Sequence, residues 1–501
     1  MANENTNEKA ADQTPWTIPG TKANEAGFLV RGVEHHSGGR CAIHSPYDQS
    51  LVGHFWQATR ADADDAVTAA AAGLAQTRAL PAHERQRILL AVSAHLGRER
   101  EAFARCLVAE AGKPILAARA EVDRAIFTFR IAAEEATRMG GEVLPLDLLP
   151  ATEGRWGMVR RFPLGPVLAM TPFNFPLNLA AHKLAPAIAC GCPVLLKPAP
   201  QTPFSAYALV RAVLDAGWPA DAMAFLPLSN EDTAHLVAAE HRIRVLSFTG
   251  SARVGWELRT RAAKKHVLLE LGGNAAVLVH GDWPDLADAA QRVVNGGFTY
   301  SGQSCISVQR VFVERAVFTP FLNLVLERVA ALRMGDPALE TTQVGPIIRL
   351  ADAERIERWT LEAMRDGAHL LAGGTRQGSM IAPTVLTGTL PPMAVRDEEV
   401  FGPVIVVEPY DSFSEALAMV NQSRYGLQVG LFTRDAARIF HAYNELEVGG
   451  LIVGDVPTWR LDPMPYGGVK DSGMGREGLR FAMQEMTAPR LLVMALPPST
   501  Q

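Results

Sequence analysis

After a polar start the chain settles into long helical periodicity. Residues 1 to about 24 carry no apolar repeat and read as a frayed terminus. From residue 60 to residue 141 apolar positions recur at helical spacing. Residues 61–79 predict a first helix, with Asp62, Asp64 and Asp65 where a helix dipole favours negative charge. Residues 84–111 predict one amphipathic helix, stopped by Gly112-Lys113-Pro114, and residues 115–139 predict another, closed by Gly140-Gly141. Residues 142–166 mix apolar and turn residues and read as an extended arm or hairpin.

Further along, short apolar runs alternate with helical stretches. The runs are 167–171, 193–197, 222–226, 244–248 and 266–271. Thr202-Pro203 reads as a capping residue and first-turn proline for the helix after the second run. Strand–helix alternation implies a doubly wound parallel sheet with ligands at the strand C-termini. Residues 280 to about 480 repeat the alternation, with strands near 308–313, 369–371, 404–407, 427–432 and 451–453. The final run, 490–496, is strand-like, and an unpaired edge of this kind invites pairing with another chain.

Composition narrows the class. With 501 residues, 48% of them hydrophobic, the chain can bury large cores in two or three domains. A net charge of -5 with interspersed signs gives no nucleic-acid footprint and no basic membrane patch. The polar N-terminus is no secretory signal, and the longest apolar run, 185–196, is too short to span a bilayer. Five cysteines, an odd number, include Cys190 and Cys192 without the spacer of common metal or redox motifs. No metal and a reducing, cytoplasmic setting are expected.

One cysteine stands apart. Gly302-Gln303-Ser304-Cys305-Ile306-Ser307 lies between a helical pattern and a strand. A cysteine of unknown setting is ordinarily a small packing residue. Here the small polar neighbours leave no apolar face, and a glycine loop lets backbone N–H groups approach a ligand. The local reading is a nucleophilic thiol beside an anion-stabilising backbone. Glu270, inside an apolar run before Gly272-Gly273, is costly to bury unless partnered or used. The residues alone leave open a structural carboxylate or a base. Asn174, in the loop after run 167–171, is a turn cap or a hydrogen-bond donor to a ligand. Gly250 and Ser251 open a helix directly after a strand, with the geometry for a phosphate but no Gly-x-Gly-x-x-Gly fingerprint.

Gly-Gln-Ser-Cys-Ile-Ser resembles the cysteine motif of the aldehyde dehydrogenase superfamily. The other motifs follow in order: Thr171-Pro172-Phe173-Asn174-Phe175-Pro176, Leu195-Leu196-Lys197-Pro198-Ala199-Pro200, Leu268-Leu269-Glu270-Leu271-Gly272-Gly273, Glu398-Glu399-Val400-Phe401-Gly402-Pro403 and Pro465-Tyr466-Gly467-Gly468. The resemblance spans the chain after about residue 25. It implies that an aldehyde is oxidised to a carboxylic acid through a thiohemiacetal and thioester on Cys305. Asn174 would hold the oxyanion and Glu270 would activate water. For the cofactor, it implies Lys197 on the adenosine ribose, Glu399 on the nicotinamide ribose and Phe401 beside it. Thr171, Pro172, Phe173, Ala199, Pro200, Gly250, Ser251, Leu271 and Gly272 would complete that site. Pro200 stands where NAD-preferring members carry a glutamate, so NAD is expected with NADP also admitted.

A substrate tunnel from Arg124, Phe175, Tyr300, Ser304 and Trp459 is expected, with Phe127 a further candidate and Phe129 in core, channel or solvent. Arg124 and Arg460 are its only cationic candidates, which weighs against a doubly charged substrate. The expected architecture is α/β: a doubly wound cofactor domain (1–141 and 167–278), a second α/β catalytic domain (279–480) and a small β oligomerisation arm (142–166 and 481–501). The resemblance implies that this arm and the C-terminal tail build the interface of a homodimer or homotetramer. Three rivals remain. Glu270 argues against coenzyme-A acylation, and the intact trio argues against a vestigial scaffold. A thiol esterase is the third.

Overall fold

Runs that are apolar on both faces build two central sheets, as expected of parallel strands covered on each side. The computed structural model describes residues 16–495 apart from residue 22. The first sheet has eight strands. Its parallel centre runs His266–Glu270, Val245–Thr249, Val167–Met170, Val194–Lys197, Met223–Phe225. Chain order reverses between Val167–Met170 and Val245–Thr249, and ligand crevices form at such reversals. Antiparallel strands close both ends, Phe28–Val30 on one and Gly473–Met474 on the other.

The second sheet has seven strands, parallel except for the edge strand His369–Ala372. Its central strand is Val308–Glu314, and Ala275–Val279 lies beside it, between Val308–Glu314 and Gln428–Phe432. Val277 and Val279 enter one core with helices Leu286–Phe298 and Arg315–Ala330, while Ala276 and Leu278 enter another with Phe413–Asn421. This is the two-residue strand period with both sides apolar.

Several expectations need correction. The stretch 84–111 is two helices, Ala82–Arg98 and Arg100–Ala111, broken at Glu99, whose backbone is non-helical. Both bury apolar residues, Leu96 and Phe103 among them, in one core with the long helix Ile115–Arg138; the periodicity therefore continues across the bend. The helix Phe204–Asp215 is not capped by Thr202, whose hydroxyl is buried without a partner. Glu110, from a distant helix, accepts from the Phe204 and Ser205 amides at 2.7 and 3.1 Å. The two Glu110 oxygens satisfy the amides that the local hydroxyl would otherwise cap. Part of the terminus expected to fray is ordered: Ile18 is fully buried and Trp16 packs near Phe204. Residues 1–15 and 496–501 lie outside the described residues.

The strand Ala275–Val279 was not anticipated, because only residues 271–274 separate it from the strand before it and no crossover helix announces it. It belongs wholly to the second sheet, so the division between sheets falls before it and not after residue 278. Strand Gly473–Met474, expected in the second domain, pairs in the first sheet. Glu142–Pro145, Arg155–Pro163 and Thr487–Ala495 form a separate three-stranded sheet, on which Leu491, Leu492 and Val493 stay about half exposed. Among the described residues no helix is long and apolar enough to cross a membrane.

Candidate active site

The short link 271–274 brings the C-terminal end of the first sheet against the N-terminal end of the second. A cavity of about 1030 Å³ opens along this seam. Cys305, Glu270 and Asn174 all line it.

Cys305 follows a tight turn in which Tyr300 and Ser301 adopt left-handed backbone, with φ of 51° and 56°. Left-handed backbone in non-glycine residues needs outside support. Ser301 donates to the Gly345 carbonyl at 2.7 Å, and Tyr300 to that of Ala111 at 3.3 Å. Gln303, fully buried, donates to the Pro346 carbonyl and accepts from the Ile348 amide. The Cys305 sulfur lies 3.1 Å from the Tyr466 hydroxyl. Burial pushes the thiol up to about 11, with Glu399 and Glu270 adding to the rise, while the Tyr466 hydrogen bond and Arg460 oppose it.

Asn174 sits in the loop before helix Pro176–Cys190 and is 4% exposed. Its amide donates to the Gln303 carbonyl at 2.9 Å, tying it to the cysteine loop, and its carbonyl oxygen has no partner. Glu270 ends its strand 4% exposed, and neither carboxyl oxygen has a hydrogen-bond partner among the described residues. Burial, then the Glu477 charge, holds its pKa well above the carboxylate range, against Arg460, Lys183 and Arg476. A buried carboxyl left without partners and facing a cavity is a site feature, because folding alone gains nothing from it.

The cofactor candidates fall into two groups. Pro172, Phe173, Gly250, Ser251, Leu271, Gly272, Glu399 and Phe401 line the cavity. Thr171, Lys197, Ala199 and Pro200 lie outside its lining. They follow or end the adjacent strands Val167–Met170 and Val194–Lys197, at the same sheet edge. Lys197 is 8% exposed, and burial alone brings its pKa down to about 8. The Thr171 and Thr249 hydroxyls are buried without partners. Glu399 accepts from the Gly273 amide at 2.9 Å, and burial raises it to about 7. A Cβ on Gly272 would lie 2.2 Å from Glu399, so only glycine lets that carboxyl reach the seam. Hydroxyls and an ammonium without partners among the described residues at a sheet's switch point, faced by the Glu399 carboxyl across the seam, suit a dinucleotide rich in hydroxyls and phosphate.

All five tunnel candidates line the cavity, in different ways. Tyr300 is buried wall, its ring against Phe175, while Trp459 stands half exposed at the rim. Arg124 pairs with Asp462 at 2.8 Å. Phe127 does not line the cavity, and Phe129 is core. The cationic lining is richer than expected, with Arg253, Arg292, Arg349, Arg355 and Arg424 joining Arg124 and Arg460. Lys113, Lys183, Glu477 and Tyr466 were given no role from the sequence. The signal for Lys183 was its place with His182 in a wholly buried, otherwise mostly apolar helix.

The chain matches the model of the aldehyde dehydrogenase family over residues 33–492. It is 40% identical to a 3-sulfolactaldehyde dehydrogenase from Priestia aryabhattai, covering 95% of this chain and 99% of that protein. Among solved structures, aldehyde dehydrogenase 21 from Physcomitrella patens, in complex with the reaction product succinate, superposes with a TM-score of 0.93 at 42% identity, over 95% and 99% of the two chains. An NADP-dependent glyceraldehyde-3-phosphate dehydrogenase from Bacillus halodurans, complexed with NADP, gives 0.91 at 34% identity, over 94% and 100%. The fold that encloses this seam is thus that of an aldehyde dehydrogenase, and the chain belongs to that family. Its reaction is the NAD(P)-dependent oxidation of an aldehyde to a carboxylic acid.

Proposed function

We propose that this enzyme acts on a short aldehyde bearing an anionic group, a carboxylate or sulfonate, through a covalent intermediate on Cys305. The observation that carries the mechanism is the meeting of Cys305, Asn174 and partnerless Glu270 on one cavity. The thiolate of Cys305 attacks the carbonyl carbon, and the carbonyl electron pair moves to oxygen. Asn174 keeps one amide N–H free beside its bond to Gln303 and donates it to that oxyanion with the Cys305 backbone N–H. Bound nicotinamide supplies the hydride acceptor. Glu270, once deprotonated, takes a proton from water as that water attacks the thioester; the acid leaves and the thiol is restored. Lys197, Glu399 and Phe401 hold the cofactor, with Thr171 to Phe173, Ala199, Pro200, Gly250, Ser251, Leu271 and Gly272 around it.

The anionic substrate rests on the arginines. Arg460 lines the cavity and has a buried Nε without a partner. Arg124 lines the same cavity. The relatives named above include enzymes of sulfonated and phosphorylated aldehydes and one holding a dicarboxylate product. Three folding units support the site: the two sheets, divided at 271–274, and the small β sheet as an oligomerisation arm. The test is reduced-nucleotide formation with neutral and anionic aldehydes of equal length, with NAD and NADP, with and without coenzyme A. Preference for the anionic aldehydes without coenzyme A is expected. Equal use of neutral ones defeats the substrate class, and activity retained by Cys305→Ala defeats the nucleophile.

A further inference from the structure

Tyr466 belongs to the glycine-rich motif Pro465-Tyr466-Gly467-Gly468, to which the catalytic scheme above gives no task. We propose that Tyr466 is a catalytic residue: its hydroxyl donates a hydrogen bond to the Cys305 sulfur as the thiolate forms, before that sulfur meets the aldehyde. This deepens the nucleophilic reading of Cys305 and rests on it.

The geometry is specific. The hydroxyl is 3.1 Å from the sulfur, the one polar contact it makes among the described residues. Its ring is 3% exposed and packs with Ile306 and Leu427 around Cys305. The backbone is fixed on both sides, because Tyr466 and Glu477 exchange amide–carbonyl bonds of 3.1 and 2.6 Å. Arg460 lies over the ring at 3.6 Å and is held by Glu477 at 3.1 Å. Phenylalanine would fill the same apolar pocket without a polar atom; the hydroxyl therefore needs a reason beyond packing.

The surroundings explain the need. Glu270, at the end of its strand, and Glu399, after helix Ala394–Asp397, both disfavour negative charge on sulfur. Arg460 favours it, as does the Tyr466 hydroxyl. Asn174 is committed to Gln303 and to the oxyanion site and makes no hydrogen bond to the sulfur among the described residues. Burial keeps the phenol protonated well beyond its ordinary range, so it still carries a proton to donate when the thiol loses its own. As the C–S bond forms, charge passes from sulfur to the aldehyde oxygen. The two donors thus serve successive sites of the same charge.

The experiment is alkylation of Cys305 by iodoacetamide in the full chain without nucleotide, followed by mass spectrometry of the Cys305 peptide from about pH 7 to about pH 12, a range that reaches past the raised thiol value. Tyr466→Phe should label about tenfold more slowly near neutral pH. Its profile should move up by about one unit, the size expected for one hydrogen bond to a charged group. The two rates should converge as pH rises. An unchanged profile, faster labelling, or equal slowing at every pH overturns the proposal, the last by showing a packing role. If Tyr466→Phe does not fold, fluorotyrosine placed at 466, a stronger donor, should lower the midpoint; no movement overturns the proposal equally. Failure of the nucleophile reading is distinguishable, because it would appear as oxidation by Cys305→Ala and not in the labelling profile.

Discussion

Lys113 places its ammonium 2.6 Å from the backbone carbonyl of Asn174. The same ammonium pairs with Glu121, and neither side chain is exposed. Glu121 accepts from the Leu177 and Asn178 amides at 3.0 and 3.1 Å, so the pair grips the chain at the asparagine and at the first turn of the helix that follows it. Phe175 and Tyr300 cover the ammonium with their rings at 3.8 and 4.4 Å.

Lys113→Met should therefore act twice. Leaving Glu121 buried and unpaired should cost about 3–5 kcal/mol of stability. Freeing the Asn174 carbonyl should lower kcat more than it raises KM. Adding Glu121→Gln should recover part of the melting temperature without restoring kcat. If kcat returns with stability, Lys113 only holds the fold.

Glu270→Gln should leave aldehyde capture intact and release one equivalent of reduced nucleotide per site. Steady-state turnover should then fall about 10²–10⁴-fold. Because burial raises the Glu270 pKa, its basic form appears only as pH climbs through that raised value. Wild-type deacylation should accelerate with pH over that interval, and the variant should lose the acceleration. Rapid-quench kinetics across pH check both, and normal turnover by the variant removes Glu270 from the mechanism.

Lys197 is held by burial at about 8, without an acceptor. The folded value lies below the unfolded one, so its cost is complete below about pH 8 and fades as pH rises to about 10.4; it is at most about 3 kcal/mol. Lys197→Met should raise stability by about 1–2 kcal/mol at neutral pH, less in alkali. It should also weaken nucleotide binding at least tenfold. Chemical denaturation and nucleotide titration measure the two effects, and a destabilised variant contradicts the account.

The arm sheet leaves Leu491 and Val493 about half exposed on a strand paired along one edge only. If copies of the chain pair through this edge, as proposed above, Leu491→Asp with Val493→Asp should lower the mass in light scattering, with the folded monomer retained. An unchanged mass removes this edge as the interface.

How far the sequence alone reached depends on the range of the interaction. Strands such as Val194–Lys197 and Val404–Tyr410 were legible because an apolar run bounded by turn residues is a local signal. Ala275–Val279 escaped because its partners lie far along the chain and no helix precedes it. The Glu110 cap on helix Phe204–Asp215 was hidden for the same reason, bridging 94 residues. Within the site, Cys305, Asn174 and Glu270 stood in motifs that read as chemistry. Lys113 and Tyr466 did not, since a lysine before proline or a tyrosine before glycine shows its partner only after folding. The arginine lining was underestimated because Arg292 and Arg355 reach the cavity from helices whose sequences look like ordinary solvated faces.

The link 271–274 carries a final consequence. Glu270 belongs to one sheet, while Asn274 is pinned to the other, donating to the carbonyls of Arg396 and Glu398 and accepting from Arg310. The proposed base and nucleophile are therefore kept in step by four residues of covalent chain, as two leaves of a hinge are by its pin. The alignment needs no docking free energy and survives dilution, which separate subunits could not guarantee. It also makes length the sensitive variable: one residue inserted here would shift the base against the thiol by up to about 3.5 Å, more than a hydrogen bond tolerates, while both cores stayed whole.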